Sequence, residues 1–355
     1  MKTTIDTTTT TATTTTTATT LGHSRIVAAG HYLPPTVVSS ADVEKRVRNC
    51  QGMRLPRGAL ARVTGVQMRS YRTSENASDL AVAASRQALE RADMQATDLD
   101  VLIFASCSQD LIEPATANIV QTKLGATNAQ AFDIKNACNS FLNALDVADS
   151  LVCCGKAETV LIAVGETPSL GINWEIRSAL ELRKSIASLT LGDAGGAAIV
   201  GRETRAGCGL MPGTFRTFGD KWPLATLLAG GSMHQFDPKY ASFVGNPKAL
   251  RAEAVRHVPG LVQETLNRTG WSPKEVDVVM CHQVTLELMQ TISKRCGFAP
   301  DRCVLSVDTC GNTAAATIPI GLSLAHERQL LKEGSKILLV GAAAGFSVGV
   351  VPMVW

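Results

Sequence analysis

One arrangement of strands and helices is written twice along this chain, and it restricts the available folds more than any other feature. In the first copy a helix over residues 79–91 precedes Asp98-Leu99-Asp100, which leads into an apolar strand at 101–104. A helix at 117–124 follows and is closed by Gly125. Next come a strand at 131–134, a helix at 141–152, and strands at 159–164 and 195–200. In the second copy a helix at 254–266 precedes Glu275-Val276-Asp277 and a strand at 278–280. A helix at 286–295 follows, closed by Gly297, then a strand at 304–307, a helix at 313–325, and strands at 336–340 and 347–351. The helical stretches repeat apolar residues every three or four positions, and the strands are short apolar runs. Two α/β halves of this kind stack in layers and share a crevice at their strand ends. The expected fold is therefore α/β, with duplicated halves at 22–204 and 205–355. A chain of 355 residues that is 45% hydrophobic can supply the core.

The remaining features mostly exclude. Residues 1–21 are largely threonine, a low-complexity stretch expected to be a disordered tail. Ser40-Ala41-Asp42-Val43 reads as a cap and helix start. Net charge is +3 without long runs, and aromatic residues make up 5%, so no nucleic-acid partner is expected. The ten cysteines form no C-x-x-C pair and no Cys/His set with zinc spacing, which argues against a metal site. No basic segment followed by an apolar core opens the chain, and no apolar run reaches membrane-spanning length. A reduced, cytoplasmic protein is expected.

The duplication also ranks the polar residues. Cys138 follows the strand at 131–134 and precedes the next helix, where free N–H groups and the helix dipole favour a thiolate. Such a thiol can carry an acyl group as a thioester. Asn312, in Cys310-Gly311-Asn312-Thr313, stands in the second copy where Cys138 stands in the first. His282 lies just past the strand at 278–280. A cysteine with a histidine and an asparagine is a recurring acyl-transfer set. Gly341-Ala342-Ala343-Ala344-Gly345-Phe346 offers small residues and backbone N–H groups suited to an oxyanion hole. In the segment 215–243, Trp222, Met233, Phe236 and Phe243 are candidates to line an acyl pocket or a dimer contact.

These segments jointly resemble the thiolase superfamily, in the branch of β-ketoacyl-acyl-carrier-protein synthase III, over residues 25 to 355. The resemblance is carried by Asn136-Ala137-Cys138, His282-Gln283, Gly311-Asn312-Thr313, Gly192-Asp193-Ala194-Gly195-Gly196 and the stretch Gly341 to Gly349. Within the branch, Leu111-Ile112-Glu113-Pro114 and Gly165-Glu166-Thr167 look more like the thiolases that condense two acyl-CoA chains head to head. The resemblance implies layered α/β/α/β/α stacking, a homodimer, and acyl-CoA or acyl-carrier protein as partners, with no cofactor. It implies that Cys138 takes an acyl group and a second acyl or malonyl-type thioester supplies the carbon nucleophile. His282 and Asn312 would bind the developing enolate, and the N–H groups of Cys138 and Ala344 the oxyanion. Glu113 would be the general base, reaching across the dimer. Two departures stand out. The branch's CoA-clamping tryptophan is missing around residues 55–65, and its carrier-protein arginine is Glu287 here. Transfer of the acyl group to a hydroxyl or amine, and a non-catalytic partner subunit, stay open as other readings.

Overall fold

The computed structural model describes residues 23–49, 55–235 and 237–355. The threonine-rich stretch, and with it the expected tail, lies outside the described residues. The first sheet is built from β1 (His23–Tyr32), β2 (Val101–Ala105), β3 (Gln130–Ile134), β4 (Thr159–Glu166) and β5 (Ala194–Glu203), in the order β1-β5-β4-β2-β3. The second contains β6 (Gly209–Leu210), β7 (Thr214–Thr217), β8 (Val278–Cys281), β9 (Lys336–Ala343) and β10 (Ser347–Val354). Its order is β6-β10-β9-β8, with β7 also paired to β10. Equivalent pairs match in sense: β4 and β2 are parallel, as are β9 and β8, while β5 runs antiparallel to β4 and β10 to β9.

Six long helices complete the layers: α1 (Ala77–Ala92), α2 (Thr116–Leu124), α3 (Ser140–Cys153), α4 (Pro247–Thr269), α5 (Leu286–Cys296) and α6 (Thr317–Glu327). The side chains of β4 show how they stack. Val160, Ile162 and Val164 enter the central core with Phe141 and Leu145 of α3 and Ile318 and Leu322 of α6. Leu161 and Ala163 point the other way, into the outer core with Ala81 and Ala88 of α1. In β9, Ile337 and Leu339 join the central core, while Leu338 and Val340 join the outer core against α4 and α5. Both faces of each central strand are covered, so the strand sequences are continuously apolar rather than alternating. The result is helix, sheet, helix, sheet, helix. Close approach of α1 depends on glycine: a Cβ at Gly30, Gly165 or Gly195 would run into the backbone carbonyl of Ala84, Ala77 or Leu80.

Two expected elements differ. Ser40 is the first helical residue, and the cap is Ser39, whose hydroxyl accepts the Asp42 N–H at 3.1 Å. The expected strand at 304–307 is reduced to one bridge between Val279 and Cys303. Val304 still donates to the Val279 carbonyl at 3.1 Å. Beyond it the buried side chain of Gln283 takes over the ladder. Its Nε2 donates to the Val304 carbonyl at 2.7 Å, and its Oε1 accepts the N–H groups of Ser306 and Val307 at 3.0 Å each. The chain then turns into a short helix, Val307–Cys310.

Candidate active site

The strand ends converge on one cavity of about 1120 Å³. Cys138 sits beyond the end of β3, just before Asn139, the N-cap of α3. The turn that delivers it is tight. Ala137 has a positive φ of 48°, Ser140 Oγ accepts the Asn136 N–H at 2.8 Å, and the same hydroxyl donates to the Ala137 carbonyl at 2.7 Å. His282 follows β8 directly, and its N–H donates to the Val340 carbonyl at 2.8 Å, extending the β8–β9 pairing by one residue. Its Nδ1 lies 3.3 Å from Thr317 Oγ1 at the start of α6.

Asn312 is held by the first half of the chain. Its N–H donates to the Thr190 carbonyl at 2.8 Å, and its own carbonyl accepts the Gly192 N–H at 3.0 Å. Gly311 makes this possible: its φ is +71°, and a Cβ there would meet the Thr190 carbonyl. The Asn312 Oδ1 accepts the Ala314 N–H at 3.1 Å, an arrangement that keeps the Nδ2 donors available. Ala344 lies half-buried in the turn between β9 and β10. Cys138, His282, Asn312 and Ala344 all line the cavity.

Electrostatically the centre couples a thiol whose pKa is lowered to an imidazole whose pKa is raised. A hydrogen bond from the Cys107 thiol and the charge of His282 hold Cys138 well below the ordinary thiol range, against the opposing effect of burial. Burial works against a charge on His282, but the Cys138 thiolate beside it overcomes this and raises its pKa. Cys107 moves the opposite way, because it donates to Cys138, is desolvated and faces the Glu166 carboxyl. Glu166 is fully buried, and desolvation raises its pKa. It accepts the Cys107 N–H at 2.8 Å and the Ser108 hydroxyl at 2.8 Å. A thiolate beside an imidazolium is an activated nucleophile with a proton donor at hand.

The remaining candidates separate. Phe243 lines the cavity. Trp222 and Met233 do not; they are 48% and 71% exposed on the loops over it, a correction to the expectation that they line a pocket. Apolar composition alone cannot say which face of a loop turns inward. Phe236 lies outside the described residues. Glu113 is exposed and stands outside the cavity of its own chain, on the loop before α2. Glu287 is paired with Arg251 of α4, with Oε1 2.6 Å from Nη2 and Oε2 3.1 Å from Nε. Cys107, Glu166 and Gln283 were not among the sequence candidates for the site. Position could have flagged the first two: Cys107 lies two residues beyond β2 and Glu166 ends β4, the C-terminal strand ends where α/β sites gather.

Among the described residues no helix is long and apolar enough to cross a membrane. The family model for the 3-oxoacyl-[acyl-carrier-protein] synthase III C terminal matches residues 266–355, and that for 3-oxoacyl-[acyl-carrier-protein] synthase III matches 132–219. The β-ketoacyl-[acyl-carrier-protein] synthase III of Thiobacillus denitrificans is 33% identical over 329 residues, covering 92% of this chain and 98% of the relative. That of Caldanaerobacter subterraneus is also 33% identical, covering 91% and 95%. Among solved structures, the Aquifex aeolicus 3-oxoacyl-[acyl-carrier-protein] synthase III superposes with a TM-score of 0.82 at 28% identity, covering 94% of this chain and 100% of that one. Cerulenin-bound OleA of Xanthomonas campestris gives 0.84 at 26%, covering 94% and 98%. The chain belongs to the 3-oxoacyl-[acyl-carrier-protein] synthase III family of acyltransferases, within the thiolase superfamily.

Proposed function

We propose that Cys138 takes an acyl group from a CoA or carrier-protein thioester and that this group is then condensed with a second acyl or malonyl-type thioester to a β-ketoacyl product. The observation that carries this reading is the meeting of Cys138, His282 and Asn312 in one cavity from widely separated parts of the chain. In the first step the thiolate attacks the thioester carbonyl, the N–H groups of Cys138 and Ala344 receive the oxyanion, and the donor C–S bond breaks to release the CoA or carrier thiol with a proton from His282. In the second, His282 and the Asn312 amide hydrogen-bond the carbonyl oxygen of the incoming thioester as enolate charge develops. Asn312 favours condensation over transfer to an alcohol or amine, since an amide stabilises an enolate but cannot deprotonate an alcohol. The cycle draws on no cofactor; its partners are the thioesters.

The active form in this reading is a homodimer. β3 is the free edge of the first sheet, its residues half-buried or exposed, and Leu111 and Ile112 on the loop after β2 are 49% and 68% exposed. A second copy placed along that edge would cover these residues and carry its Glu113 toward the neighbouring cavity, where it would remove the α-proton of the second thioester. At the exposed rim, Lys248 and Arg251 of α4 line the cavity, Arg251 paired with Glu287, and the two cations suit the phosphates of a CoA or carrier-protein thioester. The nine described cysteines are all free thiols, which suits the cytoplasm. The test is intact-protein mass after incubation with a panel of acyl-CoAs, followed by addition of a second thioester. Acylation mapped to Cys138 and a β-keto product support the reading. Loading without product until an alcohol or amine is added would replace condensation by transfer, and no loading at all would overturn it.

A further inference from the structure

The proposed condensation cycle leaves two buried groups beside the nucleophile, Cys107 and Glu166, without a part. Cys107 stands two residues beyond β2 and Cys138 four residues beyond β3. These are neighbouring parallel strands, with Ala105 opposite Ile134. Adjacent strands lie about 4.8 Å apart, so the two cysteines leave the sheet from neighbouring strand ends. Both line the same cavity, and Cys107 bears directly on the ionisation of Cys138. The buried Glu166 accepts the Cys107 N–H at 2.8 Å, and its carboxyl bears on the Cys107 thiol. Glu166, Cys107, Cys138 and His282 therefore form one coupled cluster. It joins a nucleophilic sulfur to a second sulfur, a carboxyl and a proton donor.

We propose that Cys107 is a resolving cysteine, and that a hydroperoxide converts the pair to a Cys107–Cys138 disulfide that reversibly switches off acyl loading and shields the nucleophile from irreversible oxidation. The Cys138 thiolate attacks one peroxide oxygen. The O–O bond breaks, and the departing hydroxide or alkoxide takes the proton of the His282 imidazolium, leaving as water or an alcohol. Cys138 is now a sulfenic acid, oxidised by two electrons, and the peroxide has been reduced by two. The Cys107 thiol gives its proton to Glu166, and its sulfur attacks the Cys138 sulfur. The S–S bond forms as the S–O bond breaks, and the hydroxide released leaves as water with the proton from Glu166. A dithiol reductant reverses the bridge by thiol–disulfide exchange.

The experiment uses the full chain with no thioester present, so its readout does not depend on the condensation reading. The protein is treated with hydrogen peroxide, quenched, weighed intact and mapped under non-reducing conditions. The expected result is loss of two hydrogens, a cross-link joining the Cys107 and Cys138 peptides, and loss of labelling by iodoacetamide that dithiothreitol restores. In Cys107→Ser the cross-link disappears, Cys138 instead gains two or three oxygens, and dithiothreitol restores nothing. A wild-type protein that gains oxygens on Cys138 as fast as Cys107→Ser overturns the proposal, as does a cross-link from Cys138 to any other cysteine. The wild-type map alone decides the matter if Cys107→Ser fails to fold.

Discussion

The two halves of the chain share a topology and part company nearest the site at the outer strand that precedes each reactive residue. In the first half this strand is complete. β3 pairs with β2 from Val101↔Gln130 to Ala105↔Ile134, and Cys138 leaves from its end. In the second half it is a single bridge at Val279 and Cys303, and Gln283 ties down the segment that leads to Asn312. The difference follows from what each carrier must do. A strand edge can be extended by a second copy of the chain, so keeping β3 leaves the nucleophile's sheet open to pairing. Asn312 sits on the opposite side, and its position is set by contacts with Thr190 and Gly192 of the first half rather than by its own sheet. One half therefore presents a thiol from a regular strand end, and the other presents an amide from a clamped turn.

The largest expected effect falls on the strand-borne side. Cys138→Ser should slow acyl loading by about 10⁴- to 10⁶-fold, the range seen when single members are removed from an interdependent catalytic set. Intact mass against time measures it, and loading at a wild-type rate would move the nucleophile elsewhere. Next is Glu113→Gln. Acylation of Cys138 should be kept while condensation falls by roughly two to four orders of magnitude, the size of a general-base contribution. Wild-type condensation, with carbon dioxide released at each turnover, would instead assign the protein to a decarboxylating route that needs no base.

The clamped side should show the smaller, more selective loss. Asn312→Ala removes one donor to the developing oxyanion, so condensation should fall by about 10²- to 10³-fold. Loading measured on the same sample should change little; an equal fall in both steps would mean that the turn, not the donor, was lost. Gln283→Leu tests the clamp. It leaves the Val304 carbonyl and two N–H groups without their partner, at about 1–3 kcal/mol for each group left buried and unpaired. A fall of several degrees in Tm is expected, and an unchanged Tm would mean that the segment holds itself.

The smallest effect is a displacement in pH. The Cys107 hydrogen bond is the largest influence lowering the pKa of Cys138. In Cys107→Ala the apparent pKa of Cys138 should therefore rise, so that alkylation by iodoacetamide falls off at a higher pH than in the wild type. The wild-type rate should stay level well below the ordinary thiol range of about 8.5 before it drops. Profiles that superimpose would show that His282 alone holds the thiolate.

Local pattern was enough for most elements and for the main candidates of the site. The apolar runs of β4 and β9 announced strands covered on both faces, and the spacing within 141–152 announced the helix α3 with Phe141 and Leu142 buried. Duplication then aligned Asn312 with Cys138 and put His282 at a strand end, because equivalent strands of a layered fold end on the same side. Other features depend on contacts between residues far apart in sequence. The strand expected at 304–307 has suitable residues, yet a glutamine side chain from position 283 occupies its ladder. The apolar residues Trp222 and Met233 have the composition of a pocket wall, yet the loops that carry them leave both exposed.

What the sequence determined by itself was the repeated order of elements and the chemical types of the reacting groups, since periodicity and residue identity are local. Only the tertiary structure decided that Cys107 and Glu166 stand behind the nucleophile. Their closeness comes from the lateral order of β4, β2 and β3 in one sheet, and that order is selected by the packing of both sheet faces, not by any residue's neighbours along the chain.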